Sequence, residues 1–305
     1  MKARASSIKG VVADFMAKHG IPGEMEQNLI KETIHLHLLS ALSDAGALRH
    51  VVFQGGTALR LCYGGERYSE DLDFVCGKGG AYVEAIEFES VVRDALEAAK
   101  KSLQRNFDIA PNRIALKQPS HPLGIKSDTV SVTAWQIVVP ISPTPRSPKS
   151  IIKIEFANVP SYDSAPNVAK ATPGLVQMQD VILNVESVNE ILADKAVALT
   201  ARAVMKYRDV WDVWYLVNKL SAEADRDTVA RKFTDYGTSD VLMKAKRRSD
   251  ALAQDATAKS FLDEMRRFLP AKRVAEMENA GLHKVILAAS ADLLKRAVLP
   301  VNSYL

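Results

Sequence analysis

QGGTALRL at residues 54–61 and RYSEDLDF at 67–74 are the two blocks on which the reading of this chain turns. A short apolar run, Val51-Val52-Phe53, leads into the first block and reads as a buried strand. Gly55-Gly56 breaks that strand, and Thr57-Ala58-Leu59-Arg60-Leu61 opens a helix. Asp71 to Val75 reads as a second strand, ended by Gly77, Gly79 and Gly80. Side chains alternate along a strand, so Asp71 and Asp73 point to one face. Adjacent carboxylates repel and are costly to hold together unless a cation joins them. Mg²⁺ (or Mn²⁺) suits the pair, because it takes carboxylate oxygens, keeps several waters and accepts phosphate oxygens as further ligands. With two such ions about 4 Å apart, one activates an attacking hydroxyl and the other stabilises a leaving pyrophosphate. A lone Asp-x-Asp also fits a solvated strand end. The Gly-Gly turn upstream favours the metal reading: the backbone N–H groups of Gly55, Gly56 and Thr57, at a helix N-terminus, can hold a triphosphate beside the ions.

Working outward, residues 27–48 carry Leu29, Ile30, Ile34, Leu38, Leu42 and Leu48 near helical spacing and read as an amphipathic helix. Residues 84–103 read as a charged helix, and Arg113–Lys117 and Thr129–Val139 as β-like runs. ISPTPRSPKS at 141–150 is the clearest loop. SIIKIEFAN at 150–158 then alternates: Ile152, Ile154 and Phe156 form one face, Lys153 and Glu155 the other. From about residue 187 helical patterns dominate through 295, with breaks near Gly237 and Pro270. The expected organisation is a mixed α/β domain with N-terminal helices at 1–185, a mixed sheet with flanking helices, followed by a helical domain at 186–305.

The whole-chain figures agree with a globular protein. At 305 residues there is room for one large or two ordinary domains, and 47% hydrophobic with 25% charged residues is an average balance. A net charge of +4 is compatible with a polyanionic partner without proving one. Cys62 and Cys76 belong to no CxxC pair or Cys/His cluster, which excludes a zinc site and a disulfide framework and leaves two reduced, part-buried thiols. The first 20 residues lack the uninterrupted apolar core of a secretory signal, and no stretch approaches a membrane span, so the expected location is cytoplasmic, with no membrane partner.

Further candidates lie outside the two blocks. Glu155, on the polar side of its strand, is a candidate third metal carboxylate; a solvated strand face formed with Lys153 is the alternative. Arg67 and Ser69, just before the metal strand, could touch nucleotide phosphate or ribose. Lys195 and Arg202 are seven apart, two helical turns, and share a face. Asp209 and Asp212 are three apart on the next helix, placed either to favour its macrodipole or to orient Lys195 or an acceptor. Lys244, Lys246, Arg247 and Arg248, and also Arg266, Arg267, Lys272 and Arg273, form short basic runs: solvated faces, or a surface for an RNA backbone. None of the six histidines, His35, His37 and His121 included, has metal-ligand spacing with a partner.

The blocks QGGTALRL and RYSEDLDF resemble the signature of the AbiEii/AbiGii abortive-infection toxins, within the polymerase β-like nucleotidyltransferase superfamily. The resemblance extends to Asp194-Lys195 and to Arg208-Asp209-Val210-Trp211-Asp212, and so spans roughly residues 51–216. Gly56 departs from the wider superfamily, where many relatives carry serine; phosphate contact then falls to backbone amides, aided by Thr57. The resemblance implies a nucleotidyltransferase that moves a nucleoside monophosphate from an NTP to an acceptor hydroxyl. It also implies a toxin of a type IV-like toxin–antitoxin pair with a cognate antitoxin. For some members the acceptor is the 3′ end of tRNA, which blocks translation. It implies, too, that Lys195 meets the triphosphate, where an ammonium neutralises charge on the leaving phosphates; Arg202 and Arg208 are weaker phosphate candidates by their chemistry alone. An aspartate of the Arg-Asp-x-x-Asp block, Asp209 or Asp212, would be essential. Two other readings stand beside this one. The same active site could modify a small molecule, as an aminoglycoside nucleotidyltransferase does, or a protein hydroxyl. A nucleotide-binding module without turnover is the third, against which the intact Asp71, Asp73 and Lys195 argue.

Overall fold

The computed structural model describes residues 7–76, 85–121, 123, 130–144, 146–176 and 178–299. The expected strand end at Gly77, Gly79 and Gly80, residue 84 of the expected helix and Thr129 of the expected strand lie outside the described residues. The chain divides into two compact units, Met1–Val185 and Glu186–Leu305.

In the first unit α1 (Ile8–His19), α2 (Glu26–Asp44), β1 (Val52–Gln54), α3 (Gly55–Cys62), β2 (Leu72–Val75), α4 (Ala85–Asn106), β3 (Ala115–Lys117), β4 (Val132–Pro140), β5 (Lys149–Ala157), β6 (Ser164–Ala169) and β7 (Val181–Glu186) follow in order. The strands form one mixed seven-stranded sheet in the order β3-β4-β5-β2-β1-β7-β6. β1 runs antiparallel to β2 and parallel to β7, while β2 and β5 are parallel. Alternation gives this sheet two unlike faces. Phe53, Phe74 and Phe156 stack across β1, β2 and β5 with ring centroids 5.1 and 5.2 Å apart, and Phe88 of α4 meets Phe156 edge-on. Burying each ring contributes roughly 2–3 kcal/mol. The residues between them, Gln54, Asp73 and Glu155, fall on the opposite face.

Element boundaries moved slightly from the sequence reading. α2 ends at Asp44, and Ala47–His50 forms a separate 3-10 turn after Gly46, which adopts a left-handed φ of 77°. Residues 149 and 150 belong to β5, so the loop after β4 is shorter than the run of Ser and Pro suggested. β6 and β7 carried no strong sequence pattern; β6 (SAPNVA) has neither a continuous apolar run nor clean alternation.

The second unit is helical: α5 (Val188–Ala201), α6 (Tyr207–Lys219), α7 (Arg226–Asp235), α8 (Val241–Leu252), α9 (Asp255–Met265), α10 (Ala271–Asn279) and α11 (Leu282–Ala297). The breaks expected near Gly237 and Pro270 fall between α7 and α8 and between α9 and α10. Ser187 caps α5 by accepting the Glu190 N–H at 3.2 Å. Trp211 and Trp214 of α6 are buried and lie 5.1 Å apart.

Candidate active site

The sequence-predicted residues gather in two groups, one within each unit. In the first unit the strand-to-helix turn at Gly55 adopts a φ of 77°, a conformation that L side chains rarely take. A Cβ on Gly55 would stand 2.9 Å from Asp73 Oδ2, so the turn and the Asp73 carboxylate are packed against each other with no room for a side chain. Asp73 lies in register beside Gln54 on one side and Glu155 on the other. Asp71 precedes β2; its Oδ1 accepts the Lys153 N–H at 3.2 Å, and its carbonyl accepts the Thr57 hydroxyl. Thr57 is buried and its hydroxyl is committed to that backbone, so what it can offer a phosphate is its own N–H. Arg67 is buried, donates to the Tyr68 carbonyl at 3.0 Å, and lies with Ser69 in the space a side chain at Gly56 would need.

Among the described residues no ready-made group of three or more His, Cys, Asp or Glu side chains has closed to metal-holding distance. Asp71 and Asp73 carry like charges, as does Glu155 beside Asp73, and like charges hold apart. The donor set still fits a hard divalent ion: carboxylate oxygens from β2 and its approach, beside a Gly-Gly turn at the N-terminus of α3.

In the second unit Lys195 of α5 is buried, and its Nζ lies 2.7 Å from Asp209 Oδ1 and 2.8 Å from Asp212 Oδ2. Both aspartates therefore hold the one ammonium, where sequence could not choose between them. Arg202, at the C-cap of α5, pairs with the second oxygen of Asp209. Burial works against ionising Asp209, but the Lys195 ammonium and the Arg202 guanidinium outweigh it and hold its carboxyl below the usual range.

The chain matches the profile of the nucleotidyl transferase AbiEii toxin of type IV toxin–antitoxin systems over residues 37–280. The chain belongs to the AbiEii toxin family. Two solved structures resemble this AbiEii protein. One, a candidate nucleotidyltransferase from H. pylori, is 22% identical, with a TM-score of 0.44, covering 88% of this chain and 95% of the other. The second, JHP933 from Helicobacter pylori, is 20% identical, with a TM-score of 0.45, covering 88% and 92%. A search of curated proteins returns no match. The family match takes in residues 217–280, which the motif blocks did not reach.

In this AbiEii chain the glycine at 56 has a physical reason. Serine there would bring its Cβ to 3.0 Å from Ser69 Oγ and into the Arg67 guanidinium. Gly56→Ser is therefore expected to lower activity, although it restores the commoner superfamily residue. Displacing Arg67 from the turn should raise the KM for the nucleotide about 10- to 100-fold. Steady-state kinetics on the variant check this, and a KM equal to that of the unaltered protein would show that the guanidinium yields without cost.

Several other residues take parts that the sequence reading did not assign to them. His35 of α2 is buried, and its Nε2 donates to the Glu70 carbonyl at 3.0 Å, one residue before Asp71. Burial depresses its pKa to about 4, so it is neutral and fit to donate there. Lys31 pairs with the Glu70 carboxylate at 2.9 Å. Arg248 is not a purely solvated member of its basic run: it donates to the carbonyls of Leu199 and Arg202 at 2.7 Å each, closing the C-terminus of α5. Lys246, Arg247, Arg266, Arg267 and Lys272 are exposed. Lys232 is fully buried among Glu186, Glu190 and Asp194 at 3.1, 2.6 and 3.2 Å, which assigns Asp194 to that cluster. Burial and the neighbouring Asp194 push the Glu186 carboxyl well above its ordinary range. Cys62 and Cys76 are free thiols pushed up to about 12 by burial, and so are poor nucleophiles. No described helix is long and apolar enough to cross a membrane.

Proposed function

We propose that this AbiEii protein is a divalent-metal-dependent toxin that transfers a nucleoside monophosphate from an NTP to an acceptor hydroxyl, the 3′ end of tRNA, and so blocks translation. The observation that carries the reading is the close packing of Asp73 against the Gly55 turn, which sets a carboxylate beside a helix N-terminus built without side chains. Asp71 and Asp73 would hold Mg²⁺ or Mn²⁺, with Glu155 alongside. When bound, the ion would supply charge neutralisation at the phosphates and a more acidic acceptor hydroxyl. The N–H groups of Gly55, Gly56 and Thr57 orient the triphosphate, and Arg67 and Ser69 bind it from the preceding loop. Lys195, held in place by Asp209 and Asp212, is the ammonium that takes up charge on the leaving phosphates, with Arg202 as a further phosphate ligand. The tRNA acceptor and the antitoxin partner rest on family membership.

Incubation of the full chain with each labelled NTP and Mg²⁺, against total tRNA, protein and aminoglycosides in turn, tests this reading. Label is expected to pass to tRNA and to depend on the metal. Transfer only to an aminoglycoside or to protein would replace the acceptor while keeping the reaction. NTP binding without turnover on any acceptor would leave a binding module and overturn the reading.

A further inference from the structure

Arg60 sits one helical turn beyond the Gly55-Gly56 cradle, and its guanidinium is spent almost completely on partners from three other parts of the first unit. Its Nε donates to Glu32 of α2 at 2.9 Å. One terminal nitrogen donates to the Gly65 carbonyl at 3.0 Å and leans on the Glu66 carbonyl at 3.4 Å. The other donates to Thr172 Oγ1 at 3.0 Å, and the plane lies 4.3 Å from the centre of the Tyr68 ring. Glu32 is buried and in turn accepts the Thr172 N–H at 3.2 Å and its hydroxyl. Gly65 is drawn so close to α3 that a Cβ on it would stand 3.0 Å from the Leu59 carbonyl, which accepts the Gly65 N–H at 2.8 Å.

Three of the groups that Arg60 touches, Gly65, Glu66 and Tyr68, lie on the loop that carries Arg67 and Ser69, the two residues that fill the space over Gly56. We propose that Arg60 is a positioning residue: by clamping Gly65, Glu66 and Tyr68 to α3 and α2, it sets where Arg67 and Ser69 stand over the glycine turn, and so sets affinity for the triphosphate of a nucleotide. This inference rests on the nucleotidyl-transfer reading of that turn. The chemistry explains the residue type. A planar fork with five N–H donors can serve a carboxylate, two carbonyls and a hydroxyl at once and stack on a ring, whereas an ammonium is a point charge that cannot hold that spread. An arginine retained only for its ion pair would need Glu32 alone.

The test uses the full chain and Arg60→Lys, which keeps a cation beside Glu32 but gives up most of the fork. Three quantities are read: thermal melting, amide hydrogen exchange over residues 63–69, and the dissociation constants of an unreactive triphosphate analogue and of Mn²⁺. The expected result is faster exchange confined to residues 63–69, a loss of triphosphate affinity on the order of tenfold, and unchanged Mn²⁺ binding. Glu32→Gln keeps an acceptor for Arg60 and should shift the same readings in the same direction by less, which secures the test if Arg60→Lys folds poorly. Lower melting with exchange at 63–69 and triphosphate affinity unmoved would reduce Arg60 to a structural ion pair and overturn the proposal. Failure of the unaltered protein to bind the analogue would instead remove the nucleotidyl reading, and this inference with it; that failure is distinguishable because it needs no variant.

Discussion

Asp73→Ala and Asp71→Ala are each expected to abolish nucleotidyl transfer while leaving the fold in place. Losing a metal ligand should cost on the order of 4–6 kcal/mol in the transition state, about 10³- to 10⁴-fold in kcat/KM. The stability cost is small by comparison. Asp73 stands on the polar face of β2 beside Glu155, opposite the aromatic core, so its removal opens no cavity there. Asp71→Ala gives up the acceptor for the Lys153 N–H, worth about 1 kcal/mol. The same variants carry the toxin reading: the unaltered chain, expressed without an antitoxin, should arrest bacterial growth, and Asp73→Ala should be harmless. Turnover and melting measured together decide the matter. An Asp71→Ala protein with near-normal turnover in Mg²⁺ would end the metal assignment, and equal growth with both chains would end the toxin reading while sparing the fold.

The second large effect is expected at Lys195, where activity and stability move together. Lys195→Ala takes the shared ammonium away from Asp209 and Asp212, both buried, while Arg202 stays paired with Asp209. An uncompensated buried charge costs about 3–5 kcal/mol, which should lower melting by roughly 10 °C. Transfer, assayed well below the new melting point, should fall about 30- to 1000-fold if the ammonium takes up charge on the leaving phosphates. Lys195→Arg should rescue only in part, since a planar fork does not replace a compact ammonium held between two carboxylates. The control is Lys206, exposed just before α6: Lys206→Ala should change neither property by more than about 0.5 kcal/mol. Lost melting with full transfer would make the Lys195 triad a structural device of the second unit.

Much of the first unit was legible because its signals are local. Alternation along Ile152–Phe156 assigned faces correctly, and a Gly-Gly pair between an apolar run and a helical run announced a strand and a helix whatever surrounds them. The groups that hold the site were not legible for the opposite reason. Glu32, Arg60 and Thr172 meet across 28 and 112 residues of chain, and no spacing in a sequence marks such a meeting. Lys232 of α7, which no motif marked, is fully buried among three acids from 186, 190 and 194.

What the sequence by itself determined is therefore the chemistry that short-range geometry can hold: the paired carboxylates of Asp71 and Asp73, the side-chain-free turn before them, the strand bearing Glu155, and the family. Only the tertiary structure decided which charges are spent on one another. It committed the Thr57 hydroxyl to the Asp71 backbone, gave Lys195 to both Asp209 and Asp212, and turned Arg60 and Arg248 inward. The physical reason is range. A dihedral preference or a side-chain alternation acts between neighbours in the chain, whereas the cost of burying a charge is settled by whatever partner the fold brings within about 3 Å, however distant in sequence.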